Sequence, residues 1–192
     1  MQTETAVQDQ IINGVNVDRL IGTINAVKDK PALARFNFRA KSRWLGGGHV
    51  RTTIKDFYGA GQEDTSRKEA FVLDGDEPAV LLGEDHGANA VEAVLHALAC
   101  CLGTTFIYNA AAREVKIDEF EMELVGDLDL QGFLGISRRV RNGYENVRIT
   151  FNVRSDAPPE TLEELCRLAQ RRSPVFDIVS NPVPVAVELR QK

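Results

Sequence analysis

The sequence predicts an α+β fold, on three observations. Short segments of alternating apolar residues come in runs on both sides of one long apolar segment, a second helical stripe follows the later run, and consecutive strands lie close enough to pair antiparallel. The expected order is β-β-β-α-β-β-α-β.

Residues up to about 30 carry Val15, Leu20, Ile21 and Ile24 near helical spacing. They read as a short amphipathic appendage, 1–30, ahead of a main domain over 31–192. ARFNFRAKSRW then alternates with Phe36 and Phe38 on one face, runs into Gly46-Gly47-Gly48, and resumes as HVRTTI. Glycine accepts the positive φ of a tight reversal, so this stretch predicts a hairpin. A polar connection, GAGQEDTSRKE, leads to a third strand, AFVLDG. A long helix is expected over about 88–113, capped by Asn89 and closed among the charges of Arg113 and Glu114. VKIDEFEMELVGDLDL holds two alternating sets, Val115/Ile117 and Phe120/Met122/Leu124, whose change of parity predicts a bulge. NVRITFNV alternates through Val147, Ile149, Phe151 and Val153. A second helix opens at Pro158-Pro159 and sets Leu162, Cys166, Ala169 and Ser173 in one stripe. The chain closes with a strand, VPVAVEL, placing Val183, Val185, Val187 and Leu189 on one face.

The totals narrow the function classes. With 192 residues, 43% of them hydrophobic, the chain suits one domain plus a terminal segment. The start, MQTETAVQDQ, lacks the basic, apolar and small-residue regions of a secretory signal, so a cytoplasmic protein is expected. The longest apolar segment reaches bilayer length, but Glu92, His96 and Asn109 interrupt it and alanine dilutes it, so it reads as a buried helix rather than a membrane span. A net charge of −5 argues against nucleic acid. The one basic cluster, Arg138, Arg139, Arg141 and Arg148, is diluted by Glu145 and reads as a solvated rim.

Three cysteines, Cys100, Cys101 and Cys166, have no framework spacing, so reduced thiols are expected and a disulfide scaffold is not. HALACCLGTTFIY sets Cys100 and Cys101 in mid-helix, and His96 and Cys100 form an i, i+4 pair on one face. That pair has the residue types of a Cys/His nucleophile or of half a zinc site. His49, His86 and Cys166 lie at no telling spacing for the other ligands, so no metal or other cofactor is expected. Cys101 is too far along the helix to gain much from the helix dipole, which leaves a through-space cation as its activator. Asp74, Asp85 and Glu92 read as surface or capping groups, and Ser173 lacks the partners of a serine nucleophile.

Several separated segments nevertheless agree in order with one family. Gly87-Ala-Asn-Ala-Val-Glu92 leads nine residues on to Cys101, a second helix ends in Ser173-Pro-Val-Phe-Asp, and WLGGGH, GFLGISRRVRNGYENV and NPVPVAV stand between and around them. Over about residues 33–190 the chain resembles the OsmC/Ohr family of osmotically inducible and organic hydroperoxide resistance proteins. The resemblance implies antiparallel sheets packed around a long central helix in an intertwined homodimer. It also implies a peroxidatic thiolate at Cys101, a glutamate in the region of Val91 and Glu92, a resolving position at Ser173, and an activating arginine, for which Arg51 and Arg67 are the candidates.

Ser173 departs from the family pattern, because a hydroxyl cannot close a disulfide. Cys166 lies seven residues earlier, about 10.5 Å along the axis, whereas a disulfide needs Cα atoms within about 7 Å. Cys100 is no better placed, since neighbouring helical residues diverge by about 100°. Glu92 stands about 180° from Cys101 on an ideal helix and nearer the face of Cys100. Two functions are therefore expected in competition. One is reduction of organic hydroperoxides by Cys101 with an external thiol resolving the sulfenic acid; the other is non-enzymatic binding of a small hydrophobic ligand in a pocket at the dimer interface.

Overall fold

The computed structural model describes residues 9–191, so the first eight residues of the expected appendage lie outside the described residues. The chain divides into two compact units, residues 1–94 and 95–192.

The first unit opens with a two-strand hairpin, β1 (Ile11–Ile12) and β2 (Val15–Asn16), turned by Asn13 and Gly14 at φ 52° and 75°. Two consecutive positive φ values give a mirror-image turn that matches the right-handed twist of the strands. Asn16 then caps α1 (Val17–Asp29), its Oδ1 accepting from Arg19 N at 2.9 Å. Residues 17–29 thus form a helix, with a hairpin ahead of it.

ARFNFRAKSRW forms two strands in two sheets where one was expected. β3 (Asn37–Phe38) pairs with β6 (Phe57–Gly59), which pairs in turn with β7 (Gln62–Asp64) inside the polar connection. β4 (Lys41–Gly46) pairs with β5 (His49–Ile54) across the glycine turn, and β5 pairs with β8 (Phe71–Gly75). The register puts Trp44, Val50, Leu73 and Phe71 on one face of this sheet, and all four are exposed.

α2 (Ala90–Ala112) begins in the first unit and runs into the second. In the second unit, Leu102, Phe106 and Ala110 form a buried stripe against Leu165 and Ala169 of α4 (Pro159–Arg172) and against β9 (Glu119–Asp127) and β10 (Asn146–Arg154). α2 is long and apolar enough to span a bilayer, but this stripe is core. Phe106 stacks on Phe120 at 4.7 Å between ring centroids, and Phe151 meets both rings edge-on.

Nine paired positions join β9 and β10 without a bulge. The parity change falls before the strand, because Val115 and Ile117 lie in the connection after α2. A further short helix, α3 (Leu130–Phe133), sits between the two strands. α4 stops at Arg172, one residue earlier than the stripe predicts, and Ser173 turns out to extended backbone to start α5 (Pro174–Ser180). The closing strand does not form: residues 182–191 have no helix or strand, and Val187 and Leu189 are 93% and 94% exposed. An alternating segment becomes a strand only beside a free edge, and none of the described residues pairs with this one.

Candidate thiol site

Asn89 and Glu92 start α2 as a capping pair. Asn89 Oδ1 accepts from Val91 N at 2.9 Å, and Glu92 Oε2 accepts from Asn89 N at 2.8 Å. Each carboxylate or amide oxygen satisfies a backbone donor that the helix itself leaves open. Asn89 Nδ2 also donates to Glu77. Glu92 therefore has a structural partner at the helix mouth.

Further along α2, Cys101 is half-buried and its thiol makes no hydrogen bond among the described residues. Its carbonyl accepts from Thr105 Oγ1 at 2.7 Å. Cys100 is exposed, with Sγ 3.5 Å from His96 Nε2, so the i, i+4 pair of the sequence is formed. No group of three metal-ligating side chains occurs among the described residues.

Ser173 is 1% exposed and fully committed. Its Oγ accepts from Phe176 N at 3.1 Å as the cap of α5, and its N–H donates to Ala169 O at 2.9 Å. The residue is a hinge between two helices. Cys166 packs half-buried against the core and accepts from Gln170 Nε2 at 3.6 Å.

The arginine candidates separate by their surroundings. Arg51 on β5 grips Asp74 with both Nε and Nη2, at 2.8 and 3.1 Å, while His49 Nε2–H donates to the same carboxylate at 2.8 Å. These hydrogen bonds hold the Asp74 carboxyl down to about 2, that from Arg51 contributing most and that from His49 next. Arg67 Nη1 donates to Lys55 O at 2.6 Å, and its guanidinium lies 5.1 Å and 5.2 Å from the Phe57 and Phe71 ring centroids. Arg51 keeps a polar, half-exposed head, whereas Arg67 is held between aromatic faces. Cys100, Cys101, His96 and Ser173 belong to the second unit; Arg51, Arg67 and Glu92 belong to the first.

Asp74 and Asp76, with His49 and His86, form a cluster of titratable groups; sequence reasoning weighed Asp74, His49 and His86 one by one and did not bring them together. No motif spacing marks it, because its members come from a strand start, a strand end and a loop.

Fold and site together define a class: α+β proteins that carry an unpartnered, half-buried thiol in the middle of a long core helix. The chain belongs to the OsmC-like protein family, whose profile matches residues 83–188. Comparison with curated proteins returns no match. Among solved structures, the OsmC like protein from Mycoplasma pneumoniae is 15% identical, with 77% of this chain and 89% of that one covered and a TM-score of 0.54. A hypothetical protein from Aquifex aeolicus VF5 is 12% identical, with 75% and 87% covered and a TM-score of 0.52. An organic hydroperoxide resistance protein OsmC from Legionella pneumophila is 17% identical, with 74% and 88% covered and a TM-score of 0.49.

Proposed function

We propose that the protein is a redox protein of peroxide defence, active in the cytoplasm, in which Cys101 reduces organic hydroperoxides. The Cys101 thiolate attacks the terminal oxygen of the hydroperoxide and the O–O bond breaks. The products are an alcohol and a Cys101 sulfenic acid. An external thiol condenses with the sulfenic acid and releases water, and a second external thiol frees Cys101 as a disulfide of the reductant leaves. Two thiols are oxidised for each hydroperoxide reduced.

The observation that carries this reading is the contrast between Cys101 and Ser173. Cys101 has a free thiol on a core helix, whereas Ser173 Oγ is buried and spent on a helix cap. Arg51 is the arginine that the resemblance offers as activator, and within the first unit its guanidinium is paired with Asp74; Glu92 sits at the mouth of α2, and Cys100 with His96 forms an accessory pair. No cofactor is invoked beyond the external thiol.

The protein works as a homodimer. Trp44, Val50, Leu73 and Phe71 leave an apolar sheet face open, and the extended 182–191 segment exposes a second alternating apolar row. Exposed apolar surface of this extent is a mark of an interface.

A cleft of about 340 Å³ in the second unit, lined by Leu98, Ile149, Phe176, Val179, Tyr144 and Arg141, favours a second reading, binding of a small hydrophobic ligand without turnover. Consumption of cumene hydroperoxide with dithiothreitol separates the two. Turnover should be lost in Cys101→Ser and kept in Cys166→Ser. Absence of turnover, with Cys101 resistant to alkylation until the protein is denatured, selects the binding reading.

A further inference from the structure

The loop between β8 and α2 is built around one carboxylate. Asp76 is 4% exposed and accepts from the backbone N–H groups of Glu77, Glu84 and His86, at 2.8, 3.2 and 3.3 Å. His86 Nδ1–H donates to the same carboxylate at 2.7 Å. Because a carboxylate only accepts, that ring nitrogen must carry its hydrogen. Both ends of the loop are thereby tied to one buried group. The backbone is also tight: a Cβ on Gly83 would lie 1.7 Å from Glu77 O, and one on Gly87 would lie 2.1 Å from Asp74 O.

The His86 ring then stacks on His49, with centroids 4.4 Å apart and planes 5° from parallel. His49 is anchored through Asp74 to Arg51. The second nitrogen of His86, Nε2, faces Glu84 Oε2 at 3.6 Å. The groups facing His86 are thus Asp76 and Asp74 at the end of β8, Glu84 on its own loop, and His49 with Arg51 on β5. Of these, His49, Asp76, Glu84 and His86 wall an open cleft of about 420 Å³, to which Gly46 and Gly48 of the hairpin turn contribute.

We propose that His86 is a proton-operated latch on the loop formed by residues 76–87, closed when the ring carries two protons and loosened when it carries one. With both nitrogens protonated, Nδ1–H holds Asp76 and Nε2–H attracts Glu84. With Nδ1–H alone, the Nε2 lone pair points at the Glu84 carboxylate, and the contact turns from attraction to repulsion. The loop end around Gly83 and Glu84 then lifts from the cleft.

The direction of titration agrees with this geometry. The Asp76 hydrogen bond raises the His86 proton affinity above that of an ordinary imidazole, against the opposing effect of burial, and the Asp76 and Glu84 charges add to it. A raised affinity in the fold means that the stabilisation is complete below the unfolded imidazole value and is lost as pH rises through the folded one. The latch thus opens towards alkaline pH. It is independent of the chemistry at Cys101.

The test uses the full chain and two readouts. Imidazole signals followed by NMR should show His86 titrating above about 6.5, the ordinary imidazole value, and Glu84→Gln should bring it down. Hydrogen exchange of the Glu77, Glu84 and His86 amides, corrected for intrinsic rates, should lose about tenfold protection between roughly pH 6 and pH 9. His86→Gln, which keeps a donor for Asp76 but cannot titrate, should abolish that dependence. Protection that stays flat through the His86 titration, or a His86→Gln protein with the same pH trend, would overturn the latch. If His86→Gln fails to fold, Glu84→Gln and the wild-type titration decide the matter.

Discussion

Ser173 shows how one atom can change the meaning of a position. The family resemblance implies a resolving position here. The buried Ser173 hydroxyl accepts from Phe176 N, so it joins the end of α4 to the start of α5. Replacing a capping serine by alanine costs about 1 kcal/mol. Ser173→Ala should therefore lower stability by about that amount in denaturant unfolding, while hydroperoxide turnover with an external dithiol stays unchanged. A variant that folds normally but loses turnover would give the hydroxyl a chemical role. That a serine stands where the resemblance implies a resolving thiol was legible in the sequence. That the hydroxyl is consumed by a cap was not, because the stripe of α4 extends one residue too far in an ideal helix.

Among elements, β5 and β8 depend most on charge. Arg51 and His49 on β5 close on Asp74 of β8, and this pairing keeps the carboxylate ionised down to about 2. In the unfolded chain the same carboxyl takes up its proton near ~3.9. Since the folded value lies below the unfolded one, its contribution is complete above the unfolded value and disappears as pH falls towards the folded one. Arg51→Gln should make the loss of thermal stability shallower over that acid range. Thermal melts by circular dichroism check this; an unchanged acid slope would assign it to other carboxylates. The strands were legible because Val50, Thr52 and Ile54 alternate, and their turn because of three glycines. The division of ARFNFRAKSRW between two sheets was not, since alternation says which residues share a face but not which edge the face belongs to.

At the scale of the whole molecule, each unit leaves apolar surface uncovered. Trp44 is 70% exposed on the open sheet face, and the terminal segment presents Val185, Val187 and Leu189 to solvent. If a second copy covers these surfaces, Trp44→Glu should weaken self-association about tenfold or more, read by sedimentation equilibrium. A wild-type protein that runs as a monomer at every concentration would remove the homodimer from the reading.

The sequence alone determined the α+β class, the long helix with its Asn89 cap, the paired β9 and β10, and the place of Cys101 within the helix. Periodicity and caps are local properties, so neighbouring residues suffice to reveal them. Only the tertiary structure decided that Ser173 is buried, that Arg51 grips Asp74, and that His49 and His86 stack over two carboxylates. Those facts depend on residues far apart in the chain meeting at one point, and no spacing encodes them. The C-terminal row marks the boundary between the two kinds of information: its alternation is a strand in pattern, and whether it becomes one depends on an edge that its own residues do not provide.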